Sequence, residues 1–445
     1  MSDSTMADGN EPKPAMSSES AAAPCVPDPW HRPHLFLAVL VTGLLLLIKG
    51  QFEHTACGHR LEEWTYGILQ YRLFVTGCDR EKSDAIVINL DRPKERWEKD
   101  GRSDVVTPRE PLKKLLELLA AQGARGVAID VDFSPDNGLL VDPDDRTFFL
   151  FCLELSRKAN MPIALGVWRT RLQPYNWLIS DEFQSLAGAY DILKAHPERC
   201  VRWIKATGAR VRLPSLAARI TDTDDADVRD DSLALFVRST SKMDYPNVRY
   251  SAAYSPIDFS HLPLLRQEAL PTQDPCAVGY YSDKIRGRYV LLGKTNPTSA
   301  DDWFEVPELG PVPGVFLHAC AAVTFAGQAL YTLTSTGRVL LDILITLLIF
   351  CGVTVVCLLH RRFAPASFLP NQTRAQYLFT GLAVVIVSVV SILFVRRTRL
   401  LWTDFILVCI VLALHPVFDG LLHRIAQHLP TWPLRKHNHK NPHET

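Results

Sequence analysis

The chain has 445 residues, room for two or three domains of ordinary size, and its 48 basic side chains balance 48 acidic ones. That balance provides no overall positive field of the kind that marks a nucleic-acid binder. The basic residues sit instead beside apolar runs, which is the charge pattern of a membrane protein.

Residues 1–29 are small and polar, with Val26 as the lone large aliphatic side chain, and are expected to form a disordered cytoplasmic arm. The first apolar run, Leu35–Ile48, is short for a bilayer. Trp30 and Phe52 can occupy the two interfaces and Lys49 can snorkel, so residues 30–52 are read as a first transmembrane helix. A cleaved signal peptide is the competing reading. The long arm before the run and the lack of an A-x-A site after it argue against cleavage.

Residues 53–337 are predicted to be an extracytoplasmic domain. Gln51–Gly77 carries Leu61, Trp64, Tyr66, Ile68, Leu69, Leu73 and Phe74 at helical spacing, a helix leaving the membrane and docking on the domain. Ala85–Leu90 is a strand ending at Asp91. Thr107-Pro108-Arg109-Glu110 has capping-box spacing, with Thr107 as N-cap, and Leu112, Leu115, Leu116 and Leu119 give the helix one apolar face up to Gly123. Val127–Val131 is the next strand, so this stretch is a βαβ unit and implies a parallel pair.

Arg146–Lys158 reads as a helix and Pro162–Val167 as a strand, followed by a polar, poorly periodic region over Arg169–Val211. Ser232–Val237 and Tyr289–Leu292 read as further strands, and Gly314–Ala326 as a small-residue helix stopped by Gly327. The fold class is therefore an α/β extracytoplasmic sandwich with a mainly parallel sheet, plus four transmembrane helices. The last three spans fall at residues 338–360, 377–395 and 400–419, with a cytoplasmic loop at 361–376 and a basic cytoplasmic tail at 420–445.

Arg361, Arg362 and Arg374 in the loop, with Arg424, Arg435, Lys436 and Lys440 in the tail, place both termini in the cytoplasm. Arg396, Arg397 and Arg399 run against that rule, since the same topology puts the turn carrying them outside; a shallow re-entrant pair of final segments is the alternative. Asp342 and Asp404 lie near helix ends, where interfacial solvation suffices, and transport is not indicated.

Several stretches resemble the CHASE2 family of extracytoplasmic sensor domains, over about residues 35 to 420. AIVINLD is similar to the family's first strand, with Asp91 at its end, and Thr107-Pro108-Arg109 resembles its helix start, with Thr in place of the frequent aromatic. Ala128-Ile129-Asp130-Val131-Asp132-Phe133 looks like the second strand. Lys284 to Gly293, then Thr295, Asp302, Pro307, Pro313-Gly314-Val315 and His318-Ala319, resemble the family's closing block. The resemblance implies a receptor module in a bacterial inner membrane, its CHASE2 domain periplasmic or extracellular, with both termini cytoplasmic. It departs from the usual family layout in that only a short tail follows Phe418, so output is expected from a separate signalling protein. Receptor logic adds a homodimer, the lipid bilayer as a partner and an unknown small-molecule ligand, with no nucleic acid.

Ligands of open parallel sheets sit beyond the carboxyl ends of the strands. Asp91, Asp132, Lys294 and Thr295 follow predicted strands; Asp130 shares a strand face with Asp132, and Arg109 and Asp302 could join them. The group could bind a solute, or Ca²⁺ or Mg²⁺ through oxygen ligands. The favoured reading is a buried network, such as Arg109 with Asp91 or Asp130, that holds the sheet ends together. His318 reads as a core histidine. No G-x-S-x-G, C-x-x-C or H-E-x-x-H occurs in the domain, so no catalytic residue or cofactor is assigned and an enzyme is disfavoured. A metal-dependent enzyme using Asp91, Asp130 and Asp132, and a membrane scaffold without ligand, remain the alternatives. Among six outside cysteines, Cys57 and Cys78 are the candidate disulfide, and Cys152 and Cys320 read as buried thiols.

Overall fold

The computed structural model describes residues 43–44, 47–52, 55–69, 83–90, 95–99, 102–133, 145–167, 183–189, 203–207, 215–221, 236–237, 253–271, 275–296, 302–306, 309–327, 331–333, 337, 339–345, 372–398, 400–401, 406 and 409–410. Leu45–Thr445 is one compact unit and contains every element described below.

In chain order these are α1 (Ala56–Ile68), β1 (Ala85–Asn89), β2 (Glu95–Lys99), β3 (Arg102–Val106), α2 (Arg109–Ala121), β4 (Gly126–Ile129), α3 (Asp145–Ala159), β5 (Ile163–Val167) and β6 (Ala187–Ala189). Next come β7 (Trp203–Thr207), α4 (Leu216–Thr221), β8 (Phe236–Val237), β9 (Ala253–Pro256), α5 (Leu262–Glu268), α6 (Pro275–Gly279) and α7 (Ser282–Ile285). The last are β10 (Tyr289–Gly293), β11 (Trp303–Val306), β12 (Gly310–Pro313), α8 (Gly314–Ala326), β13 (Tyr331–Leu333), α9 (Gln372–Thr398) and β14 (Leu400–Leu401).

Five strands form one wholly parallel sheet in the order β1-β10-β4-β5-β6. Strands covered on both faces must be apolar throughout, and AIVIN, GVAI, IALGV and YVLLG are buried at every position. One face carries Ile86, Ile88, Val127, Ile129 and Leu165 against Leu112, Leu115, Leu116 and Leu119 of α2 and Phe148 and Phe149 of α3. The other presents Val87, Ala128, Ala164 and Leu291 to α4, α5 and α8. The domain is thus an α/β sandwich with the sheet at its centre.

The βαβ unit needs one correction. Its strands, β1 and β4, are parallel, yet they are not neighbours, because β10 lies between them and bonds to both. Tyr289–Gly293 has no polar face, so only a central position satisfies it. The capping box is not formed either. Helix α2 starts at Arg109 with Pro108 at its N-cap and no capping side chain, while the Thr107 carbonyl accepts a bond from Arg109 Nη1 at 2.7 Å. Exposed Glu110 faces Lys113 at 3.6 Å instead of reaching back.

Within the poorly periodic region lie β6, the fifth strand of the sheet, and β7, which pairs antiparallel with β9. Only Phe236–Val237 of the strand expected at Ser232–Val237 is described, and it pairs with β13 outside the main sheet. Helix α1 docks as expected. Tyr66 donates its hydroxyl to the Ile257 carbonyl at 2.5 Å and meets the Phe259 ring edge-on.

The apolar segments are described in part. Residues 47–52 and 339–345 are helical, and α9, 27 residues long, contains Tyr377–Val395. Arg396 and Arg397 belong to its last turn rather than to a free turn, and Leu400–Leu401 pairs in parallel with Tyr331–Thr332. Judged on the described residues alone, no helix is long and apolar enough to cross a membrane. The N-terminal arm, the loop at 361–376 and the tail lie outside the described residues.

Candidate functional site

The carboxyl ends of β1, β10 and β4 meet at one edge of the sheet, where α2 and α8 begin. Backbone bonds knit this edge together. Leu90 N–H donates to Gly293 O at 2.9 Å, Asp130 N–H to Leu292 O at 2.7 Å, and Phe133 N–H to Gly166 O at 2.8 Å. Buried Asn89 adds a side-chain tie, its Oδ1 accepting the Thr295 N–H at 3.1 Å.

Helix α8 closes tightly over this edge because its residues are small and it is buried nearly all round, from Gly314 to Thr324. The closeness is measurable at Gly293, where a Cβ would stand 2.7 Å from Val315 Cγ2 and 3.0 Å from Asp130 Cβ. His318, one turn into α8, is buried, and its Nε2 stands 3.8 Å from Asp130 Oδ1. Burial opposes the charged carboxylate and raises Asp130 from 3.8 to about 7. Asp130 is therefore close to half-ionised at neutral pH, beside a histidine held on a rigid helix.

Arg109 belongs to a different cluster. Its Nε donates to Asp145 Oδ1 at 2.6 Å, with both side chains buried, and its guanidinium lies 4.6 Å from the centre of the Phe133 ring. Phe133 stacks on Phe148, which also faces Arg109. These residues belong to the α2/α3 side, whereas Asp130 faces α8, so the sheet stands between the two clusters.

The expected single crevice is thus divided. Asp130, Asn89 and Thr295 gather on or near the α8 side, Arg109 lies across the sheet, and Asp132 is exposed just past β4. Lys294 and Asp302 are half-buried near the ends of β10 and the start of β11, and Asp91 lies outside the described residues. The buried partner of Arg109 is Asp145, rather than the expected Asp91 or Asp130. Asp145 escaped the sequence reading because the helix was read from Arg146, one residue after it, whereas Asp145 is the first residue of α3 and is buried.

Among the described residues no group of three or more His, Cys, Asp and Glu side chains could hold a metal ion. Cys57 is a free, exposed thiol on α1, and Cys78, its candidate disulfide partner, lies outside the described residues. Cys152 and Cys320 are buried thiols as expected, and burial pushes both well above the ordinary thiol range.

Two routes lead from the domain toward the apolar segments, α1 at its start and α8 at its end. They converge on residues 257–259. Tyr66 of α1 binds the Ile257 carbonyl, and the Asp258 N–H donates to Thr324 Oγ1 of α8 at 2.9 Å. Lys49, just after the first apolar run, and Asp342, at the start of the second, form a buried ion pair. Sequence reasoning gave each of these charges its own solvent contact. The signal for the pair was present, since the end of one span and the start of the next lie at one depth when both cross.

A family model described as the CHASE2 domain matches residues 37–359. No curated protein and no solved structure matches the chain significantly.

Proposed function

The chain belongs to the CHASE2 family, whose domains are extracellular sensory modules, and from that premise we propose that it is a membrane receptor whose α/β domain detects a stimulus and passes it through its apolar helices to a separate output protein. In this reading the domain lies outside a bacterial inner membrane and both termini lie in the cytoplasm. The stimulus acts at the carboxyl edge of the sheet. A change around Asp130 and His318 bears directly on α8, and α8 leads into the second apolar segment. A conformational signal needs such an element, packed closely enough that it shifts as a body.

The observation that carries this reading is the agreement of two contacts about depth. Lys49 and Asp342 bring the end of the first apolar run against the start of the second. Tyr331–Thr332, just before the second run, pair with Leu400–Leu401, at the start of the fourth. A chain with four spans and an external domain requires all of these positions at the outer surface. The pairing also favours four full spans over a re-entrant pair, since it draws the arginine-bearing turn toward the domain.

The test is gentle extraction of the full-length protein from its native membrane, followed by mass spectrometry of what accompanies it. A stoichiometric companion with a catalytic or regulatory cytoplasmic domain is the expected result. Recovery of the chain alone, under conditions that preserve other complexes, would sink the receptor reading in favour of a scaffold.

A further inference from the structure

Lys49 and Asp342 are 293 positions apart in the chain, and both side chains are withdrawn from solvent. A buried charge left without its counter-ion destabilises a protein strongly, more than the pair itself stabilises it. The pair therefore resists separation whatever its net contribution. A slide of one residue along a helix moves a side chain by about 1.5 Å and turns it by roughly a quarter of a circle, enough to break a direct ion pair.

The same two routes are tied a second time on the domain. Tyr66 holds α1 to the Ile257 carbonyl, Phe259 packs against the Tyr66 ring, and Asp258 is bonded through its amide to Thr324 of α8. Thr324 Oγ1 in turn donates to the Cys320 carbonyl, so this tie reaches into the body of α8. Segment and stem are fixed at two levels, by an ion pair at the apolar end and by hydrogen bonds at the domain end. Sliding one route past the other would have to break both.

We propose that the Lys49–Asp342 ion pair locks the end of the first apolar segment, residues 47–52, to the start of the second, residues 339–345, so that a rearrangement of the α/β domain moves these two ends together rather than sliding one along the other. Relative motion is then confined to the boundary between this pair and the remaining segments. The proposal rests on the receptor reading only for the origin of the motion. The lock is a property of the chain at rest and is measured without stimulus or partner, so its failure is distinguishable from failure of the receptor reading.

The experiment uses the full-length chain in its native membrane, with Cys57→Ser to remove the exposed thiol of α1 and the parent with Cys57→Ser alone as the disulfide background. Single cysteines replace Leu47 or Ile48 in the first segment and Leu340, Ile343 or Leu344 in the second, and the disulfide yield of each combination is recorded. A locked pair gives one dominant combination. In Lys49→Ala or Asp342→Ala that yield falls roughly tenfold or more relative to its neighbours, the ratio that follows when a register preference of at least about 1.4 kcal/mol is lost. The reversed pair, Lys49→Asp with Asp342→Lys, restores the parental pattern. Unchanged patterns in both single variants would overturn the lock. Where a single variant fails to accumulate, the reversed pair decides: accumulation with the parental pattern supports the lock, and loss of accumulation or a scattered pattern overturns it.

Discussion

His318 Nε2 faces Asp130 Oδ1 at 3.8 Å across the junction of α8 with the end of β4. The distance is longer than a hydrogen bond. Burial is what raises the Asp130 carboxyl, and His318 stands just beyond bonding reach of it on the helix that closes this edge.

Substituting Asp130 by Asn is expected to stabilise the protein at neutral and alkaline pH. In the folded state Asp130 titrates at about 7, against 3.8 when unperturbed. Below the lower value the carboxyl is protonated in both states, and its contribution to stability is fully present. Between the two values the unfolded chain has released the proton and the folded chain has not, so stability falls as pH rises and the contribution is gone above about 7. Each tenfold change in proton affinity corresponds to about 1.36 kcal/mol, which bounds the gain from Asp130→Asn at roughly 4 kcal/mol, and relaxation around the site reduces it to about 1–3 kcal/mol. Urea unfolding of the full chain in lipid nanodiscs, at about pH 5 and about pH 8, measures the difference. A variant less stable than the parent at the higher pH would mean that the ionised carboxylate is the working partner of His318.

Arg109 and Asp145 are expected to behave as a coupled pair. Removing either by Ala leaves a buried charge facing aromatic rings and costs about 3–5 kcal/mol. Removing both costs clearly less than the sum of the two single losses. Arg109→Lys recovers only part of the stability, since an ammonium cannot both stack on Phe133 and reach Asp145 with the same planar geometry. A double-mutant cycle by thermal unfolding checks this, and strictly additive losses would show that the two side chains act independently.

Tyr66→Phe removes the hydroxyl that binds the Ile257 carbonyl and leaves the ring against Phe259. The expected cost is about 1–2 kcal/mol, concentrated locally because a buried acceptor loses its partner. Hydrogen exchange resolves it, with the amides of Asp258 and Ser260 losing protection while those of β1 and β10 keep theirs. Uniform loss across the sheet would mean that α1 is part of the global core rather than a docked stem.

The sheet was legible wherever its strands are long and apolar on both faces. AIVIN, IALGV and YVLLG stand out from their neighbours, and helix α8 ends at Gly327 as its small-residue run foretold. Strand order was not legible, because nothing local in Tyr289–Gly293 tells that it inserts between two strands more than 150 residues earlier. Ala187–Ala189 was missed because three small residues carry no periodicity. For the site, sequence position pointed to Asp132, Lys294 and Thr295 by their place after strands, to Asp130 by its strand face and to Arg109 by its helix start. It gave no information on which side of the sheet each lies, and that separates Arg109 from Asp130. Alternation fixes the face inside a strand, but Arg109 is on a helix and takes its face from the crossover.

Gly293→Ala tests how tightly α8 closes the edge. The added methyl would stand 2.7 Å from Val315 Cγ2 and 2.8 Å from Val315 Cβ, closer than van der Waals contact allows, with Asp130 Cβ at 3.0 Å on another side. Neither β10 nor α8 can yield alone, since β10 is bonded on both edges and α8 is buried nearly all round. Overpacking of this kind costs about 1–3 kcal/mol. Val315→Ala, added to Gly293→Ala, removes the methyl groups in the way and should return part of that loss, although it costs stability by itself as a cavity in the parent. The two substitutions are therefore predicted to be non-additive in the favourable direction, by about 0.5–3 kcal/mol in a thermal-unfolding cycle. If the double variant shows the plain sum of the single losses, the strain of Gly293→Ala lies against Asp130 instead. The Asp130–His318 distance would then be the feature that the glycine protects.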